Sequence, residues 1–190
     1  GGHVQTVGNR GTVTLSDATA GVSSRDIDQV IRVARAVNLP VDRKIVHTIC
    51  QHFRIDDELV VTNPEGMDGA QLALDMLILH ALRSRINNLL NVVAGVPMEV
   101  DDVAFSGWCS ALAVLTREQK RSGVFLIDLG GGTTDLLAYA GGVVAAAGSF
   151  GVGGDHVTND ISSAFNLPRL KAESLKCDHG ATRCSGSEEE

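Results

Sequence analysis

Aromatic residues are scarce in this chain: among 190 residues there are five Phe, one Trp and one Tyr. That leaves little with which to stack single-stranded bases. Cationic side chains are also in deficit, 16 Lys and Arg against 23 Asp and Glu, and the resulting net charge of −7 opposes a phosphate-neutralising surface. Nucleic acid is therefore excluded as a partner. Long hydrophobic runs are missing too. The longest run of small apolar residues, Val143 to Ala147, falls far short of the roughly 18 residues that a membrane span needs. The N-terminus lacks the charged-then-apolar pattern of a signal peptide, so the expectation is a soluble, cytoplasmic chain with no membrane anchor of its own.

The four cysteines, at positions 50, 109, 177 and 184, are too few and too scattered for a disulfide framework, and reduced thiols are expected. Cys177, His179 and Cys184 lack the paired CxxC spacing of a zinc site and read as incidental residues. What the chain does have is 44% hydrophobic and 21% charged residues, a globular balance, in a length that allows one ordinary domain or two small ones. It opens on Gly1 without Met and closes on the polar stretch Ser185 to Glu190, which suits a piece of a longer protein.

Ser23 and Asp26 form a capping box ahead of a helical stripe of Ile27, Val30, Ile31 and Ala34, stopped by Asn38 to Pro40. Ile45, Ile49, Phe53 and Ile55 fall on one side of an alternating strand, with His47 an ordinary strand histidine and His52 on the opposite side. Leu72, Leu74, Met76 and Ile78 alternate likewise after the turn-rich loop Thr62 to Gly69. With a strand near Gly11 to Leu15, residues 1–80 read as strand, helix, strand, strand. Beyond them, Leu82, Ile86, Leu89, Leu90 and Val93 predict a helix ending at Gly95, Val103 to Phe105 a short strand, and Trp108 to Leu115 a helix. Val124 to Leu129 reads as a buried central strand, Leu136 to Tyr139 comes next, and Gly141-Gly142 turns the chain into Val143 to Ala147. Helices from about His156 and Arg169 complete the order. No internal repeat is visible.

The most informative stretch runs from Asp128 to Asp135: two carboxylates around Gly130, Gly131, Gly132, Thr133 and Thr134, between two strands. Glycines permit positive φ and let backbone N–H groups approach an anion, and the two threonine hydroxyls can donate to phosphate oxygens. Carboxylates beside a polyphosphate require a hard cation between them, so Asp128 and Asp135 imply Mg²⁺ held largely through water. The plainer reading is a hairpin turn with solvated charges. No Gly-Lys-Ser/Thr comes after it, so it is not a Walker loop.

This stretch resembles the second phosphate motif of the actin-like ATPase superfamily. The flanking segments narrow the resemblance: Gly2 to Val4, His47 to Gln51, Asn63 to Gly69, Phe105 to Gly107 with Val114 to Thr116, and Gly153 to Ile161 look like the FtsA family of bacterial cell-division proteins. The likeness runs from Gly2 to about Ala181. It implies an α/β, actin-like (ribonuclease H-like) fold, present in part. A strand-helix-strand-strand insert of α+β character would occupy 1–80, part of the first actin-like subdomain 81–120, the start of the second 121–181, and a polar tail 182–190.

By the same resemblance Asp128 lies in the water-mediated Mg²⁺ shell with Asp135 in support, and Gly130 to Gly132 and Thr133 meet the phosphates of ATP. Gly153 and Gly154 approach the nucleotide as a second glycine turn, although an ordinary helix N-cap would use them equally. Glu173 and Lys176 resemble the ribose and adenine contacts; alone, they would read as an exposed i,i+3 ion pair. Implied partners are a tubulin-like division-ring protein, further copies in a filament, and later division proteins through residues 1–80, with the full protein peripheral on the cytoplasmic face of the inner membrane. A PilM-like pilus-assembly scaffold and a sugar or acetate kinase of the same superfamily are the alternatives. Two departures stand out: Cys50 replaces a common Pro, and Gly107-Trp108 stands where related ATPases carry a water-activating Glu or Gln, so hydrolysis is expected to be slow at most. The first phosphate hairpin, the later adenosine-closing glycine motif and an amphipathic membrane helix are expected outside this chain.

Overall fold

A computed structural model describes residues 2–181. The elements, in chain order, are β1 (Gln5–Thr14), α1 (Ser24–Arg35), β2 (Arg43–Ile55), β3 (Leu59–Val61), β4 (Gln71–Leu82), α2 (Arg83–Val93), α3 (Ser106–Val114), α4 (Arg117–Ser122), β5 (Val124–Leu129), β6 (Thr134–Ala140), β7 (Val143–Phe150), α5 (Gly154–Ala164) and α6 (Arg169–His179). They form two antiparallel sheets, ordered β1-β4-β2-β3 and β5-β6-β7.

The capping box closes as expected: the Ser23 side chain accepts from the Asp26 N–H and the Asp26 carboxylate accepts from the Ser23 N–H. Val30 and Ala34 of α1 then pack on Leu72, Leu74, Met76 and Ile78, the even-numbered face of β4. The approach is close, since a Cβ at Gly11 of β1 would lie 2.4 Å from the backbone nitrogen of Ala34. The odd-numbered face of β4, with Leu77, Leu79 and Ala81, is buried as well. It meets Ile86 of α2, Ala111 of α3 and the inner face of the second sheet through Leu126, Leu137, Tyr139 and Val144. β4 is therefore a central strand covered on both sides. Side chains reach across the seam between the sheets, where Thr6 Oγ1 donates to Ala147 O at 3.0 Å and Gln51 Nε2 donates to Val144 O at 2.7 Å.

Several expectations change. β2 does not keep one alternation, because register shifts at Ile45/His47 and Cys50/His52 insert Val46 and Gln51 as bulge residues. Each inserted residue reverses the parity of the strand beyond it, so Ile49 packs in the seam with Leu77, whereas Ile45, Phe53 and Ile55 face α1. His47 and His52 pair with Leu79 and Asp75, which share one face of β4, so they lie on the same side of the sheet. Cys50 stands immediately before the second bulge. A three-residue strand, β3, joins residues 1–80, and Val103 to Phe105 form no strand. Among the described residues β5 pairs on one side only, with β6, where a central strand is expected, and Phe125, Ile127 and Leu129 point away from the core. The paired glycines behave as expected, Gly141 and Gly142 both having positive φ in the β6–β7 turn. The tail from 182 onward, including Cys184, lies outside the described residues.

Candidate functional site

The turn between β5 and β6 is closed by Gly130 N donating to Thr133 O at 2.9 Å. None of Gly130, Gly131 or Gly132 has positive φ, so conformational freedom is not what these positions require. What the turn shows instead is close approach by α5. Gly154 N donates to Gly130 O at 3.0 Å and Asp155 N donates to Gly131 O at 2.7 Å, so the N-terminal turn of α5 sits directly on the glycine turn. A Cβ on Gly153 would stand 2.4 Å from Gly130 O and 2.5 Å from Gly131 O. The two glycine segments are thus in contact, although about twenty residues separate them in sequence.

This contact changes which donors are available. Two amides at the start of α5 are already engaged by the carbonyls of the glycine turn. The N–H groups of Gly131, Gly132 and Thr133, by contrast, make no hydrogen bond among the described residues. Gly132 is open enough that a Cβ there would meet nothing within 4 Å. Thr134 departs from expectation: it is buried, and its hydroxyl donates to Val152 O at 2.7 Å, tying β6 to the approach to α5. Thr133, half-exposed, keeps its hydroxyl available.

Asp128 and Asp135 face each other as a cross-strand pair, with Ser149 next in the row on β7. Their environments differ. Asp135 is 4% exposed and accepts hydrogen bonds from the hydroxyls of Ser106 and Ser149, one on each oxygen. Asp128 is half-exposed and accepts from Ser110 Oγ at 2.6 Å on Oδ2. Among the described residues no group of three His, Cys, Asp or Glu is placed to hold a metal. Of the two carboxylates at the turn, Asp128 is the one within reach of solvent.

Glu173 and Lys176 of α6 reach the same corner. Lys176 Nζ donates to Glu173 Oε2 at 2.7 Å, to Thr158 Oγ1 at 2.9 Å and to Gly154 O at 3.3 Å. Hydrogen bonds from Lys176 and then from Thr158 hold the Glu173 carboxyl well below its ordinary range, down to about 2. Thr158 is fully buried between α5 and α6, so the pair does more than an exposed i,i+3 ion pair would: it locks the two helices together next to the second glycine turn.

Sequence reading missed the serines at 106, 110 and 149, Thr158, and Asp155. Asp155 faces Gly131, its carboxylate 3.5 Å from where a Cβ would be, and is paired with Arg169 at 3.0 Å. Ser106, Asp155 and Thr158 fall inside segments that carry the family resemblance, but nothing local names their partners, and Ser110 and Ser149 have no local signal. Gly107 is buried with no room for a side chain, since a Cβ would lie 2.8 Å from the Phe105 ring and 3.2 Å from Asp135 Cβ. A Glu or Gln could not be accommodated there without repacking. His47 accepts a hydrogen bond from Phe105 N at 2.9 Å on Nε2 and stacks on Trp108, so it serves the seam between the sheets.

Comparison with known proteins matches both halves of this arrangement. The family described as the SHS2 domain inserted in FtsA matches residues 1–80, and the family described as cell division protein FtsA matches residues 125–190. Cell division protein FtsA of Pseudomonas aeruginosa is 34% identical over 176 residues, 93% of this chain and 42% of that protein. The chain belongs to the FtsA family. FtsA of Neisseria meningitidis is 32% identical over 184 residues, covering 97% of this chain and 44% of its own length, and that of Escherichia coli K12 is 29% identical over 180 residues. The chain thus spans less than half the length of these FtsA relatives. Among solved structures, a chain of a PilM-PilN type IV pilus biogenesis complex superposes with a TM-score of 0.55 over 92% of this chain and 48% of that one, at 19% identity. At that identity the likeness speaks for the fold alone, the expected mixed α/β fold of actin-like type.

Proposed function

We propose that this chain supplies one phosphate-binding wall and the insert module of an FtsA-like nucleotide-binding protein of bacterial cell division. The observation that carries the reading is the contact between the two glycine segments, which leaves the N–H groups of Gly131, Gly132 and Thr133 unengaged beside the half-exposed Asp128. Backbone donors of this kind suit the phosphates of ATP, and Mg²⁺, when bound, neutralises the charge that would otherwise keep phosphate and carboxylate apart. Asp128 would hold that ion through water, Asp135 would support it, and Gly153, Gly154, Glu173 and Lys176 would border the nucleoside side. Thr134 acts through the backbone it ties. With no side chain at Gly107 to orient water, hydrolysis is slow at most.

In this reading residues 1–80 form a protein-contact module, 81–120 and 121–181 belong to two actin-like subdomains, and 182–190 form a tail. The wider protein would form filaments, bind a tubulin-like division-ring protein, recruit later division proteins and work at the cytoplasmic face of the inner membrane. The relatives named cell division protein FtsA support this over a pilus scaffold, for which only the fold speaks.

The test is titration with Mg-ATP monitored by amide NMR. The chain should bind weakly, with shifts centred on Gly130 to Thr133, because a single wall holds phosphate poorly. Asp128→Ala should abolish the response and His47→Ala should leave it unchanged. Equal losses in two folded variants would refute the assignment.

A further inference from the structure

We propose that the two aspartates of the glycine turn have different jobs and that Ser110 is the positioning residue for the one that faces a cation. The inference rests on the nucleotide reading above and deepens it.

Two carboxylates directly opposite each other on neighbouring strands repel, and Asp128 and Asp135 are such a pair. α3 lies across them with Ser106 and Ser110 one turn apart on the same helical face, so that each serine meets one aspartate. Ser149 adds a second hydroxyl to Asp135 from β7. Both oxygens of Asp135 accept a hydroxyl and the group is buried, so it is shielded from a ligand arriving from solvent. Its hydrogen bonds run to α3 on one side and β7 on the other, which makes Asp135 the joint that fixes α3 over the sheet.

Asp128 differs in one atom. Ser110 engages Oδ2 at 2.6 Å, and Oδ1 accepts no hydrogen bond among the described residues. The last torsion of an aspartate is soft, so a free carboxylate samples a broad range of orientations. One hydroxyl bond on Oδ2 narrows that range and decides where Oδ1 faces, as groups behind a metal ligand commonly do. Ser106, Asp135 and Ser149 in turn hold the helix that carries Ser110.

The experiment uses Mn²⁺ alone as the probe, read by paramagnetic broadening of the amide signals of Gly130 to Thr133, with thermal melting alongside. In the unaltered chain millimolar Mn²⁺ should broaden these signals selectively. Ser110→Ala should weaken the titration roughly tenfold. Ser110→Thr, which keeps the hydroxyl, should restore it. Asp135→Asn should lower the melting temperature and weaken the Mn²⁺ titration less than Ser110→Ala does. A Ser110→Ala midpoint equal to that of the unaltered chain would overturn the proposal, as would a folded Asp135→Asn protein that loses Mn²⁺ as completely as Asp128→Ala. No selective broadening in the unaltered chain would overturn the metal reading itself, and this inference with it.

Discussion

The two sheets solve the problem of burial differently. In the first, β4 is covered on both faces, and Leu72, Leu74, Met76, Ile78 and Leu79 are almost wholly buried. In the second, one face joins the shared core while β5 exposes Phe125, Ile127 and Leu129, the last at 74%. Among the described residues, then, an apolar run on both faces goes with two-sided pairing in β4 and with one-sided pairing in β5. The alternation of the neighbouring strands does not say which. The first sheet is covered by α1 on one face and by the second sheet, α2 and α3 on the other; the second sheet carries the glycine turn, where backbone donors stay open.

The sharpest way to test that contrast is to truncate one residue from each sheet. Leu74→Ala removes a fully buried side chain and should cost about 2–5 kcal/mol in urea unfolding. Ile127→Ala, on the open face, should change stability by no more than about 0.5 kcal/mol. Equal losses would mean that the second sheet is covered in solution. A second pair separates stability from donor access within the glycine site. Gly153→Ala forces a Cβ against two backbone oxygens and should destabilise by roughly 1–3 kcal/mol. Gly132→Ala meets open space, so its melting temperature should hold while any Mg-ATP response weakens.

Acid should act next, at the seam between the sheets. Burial lowers the His47 pKa, with Asp102 opposing more weakly. The fold therefore prefers the neutral ring, whose Nε2 accepts from Phe105 N. This contribution is present above the ordinary histidine value of 6.5 and is lost as pH falls below it. His47→Gln should flatten the dependence of melting temperature on pH in that range. The smallest effect belongs to Glu173, whose folded-state pKa is depressed by Lys176 and Thr158. Its contribution is present above about 4.5 and disappears as pH falls toward about 2. Glu173→Gln should reduce that slope, to which Asp17, Asp26 and Asp75 also contribute, without altering the His47 transition.

Much of the fold, and the segments that make up the candidate site, are legible in residue order. The capping box needs only Ser23 and Asp26 three residues apart, and the β6–β7 turn needs only two glycines that accept positive φ. Both are local geometry, and both formed as read. The glycine turn is visible in the sequence, but its contact with α5, which leaves no room for a side chain at Gly153, has no trace in the turn itself. Glu173 and Lys176 were found as a pair, but their third partner, the buried Thr158, lies on another helix.

Residue order by itself therefore determined the features in which a side chain acts on its near neighbours: the α1 cap, the even-numbered apolar face of β4, and the carboxylates and glycines gathered between two strands. Tertiary structure alone decided which face Ile49 takes, since a bulge depends on how β2 registers against β4. It alone set Ser106, Ser110 and Ser149 against two aspartates. A serine hydroxyl carries no signal of its partner along the chain. Its hydrogen bond exists only once helix and sheet are packed close enough for a donor and an acceptor, 14 to 29 residues apart, to meet.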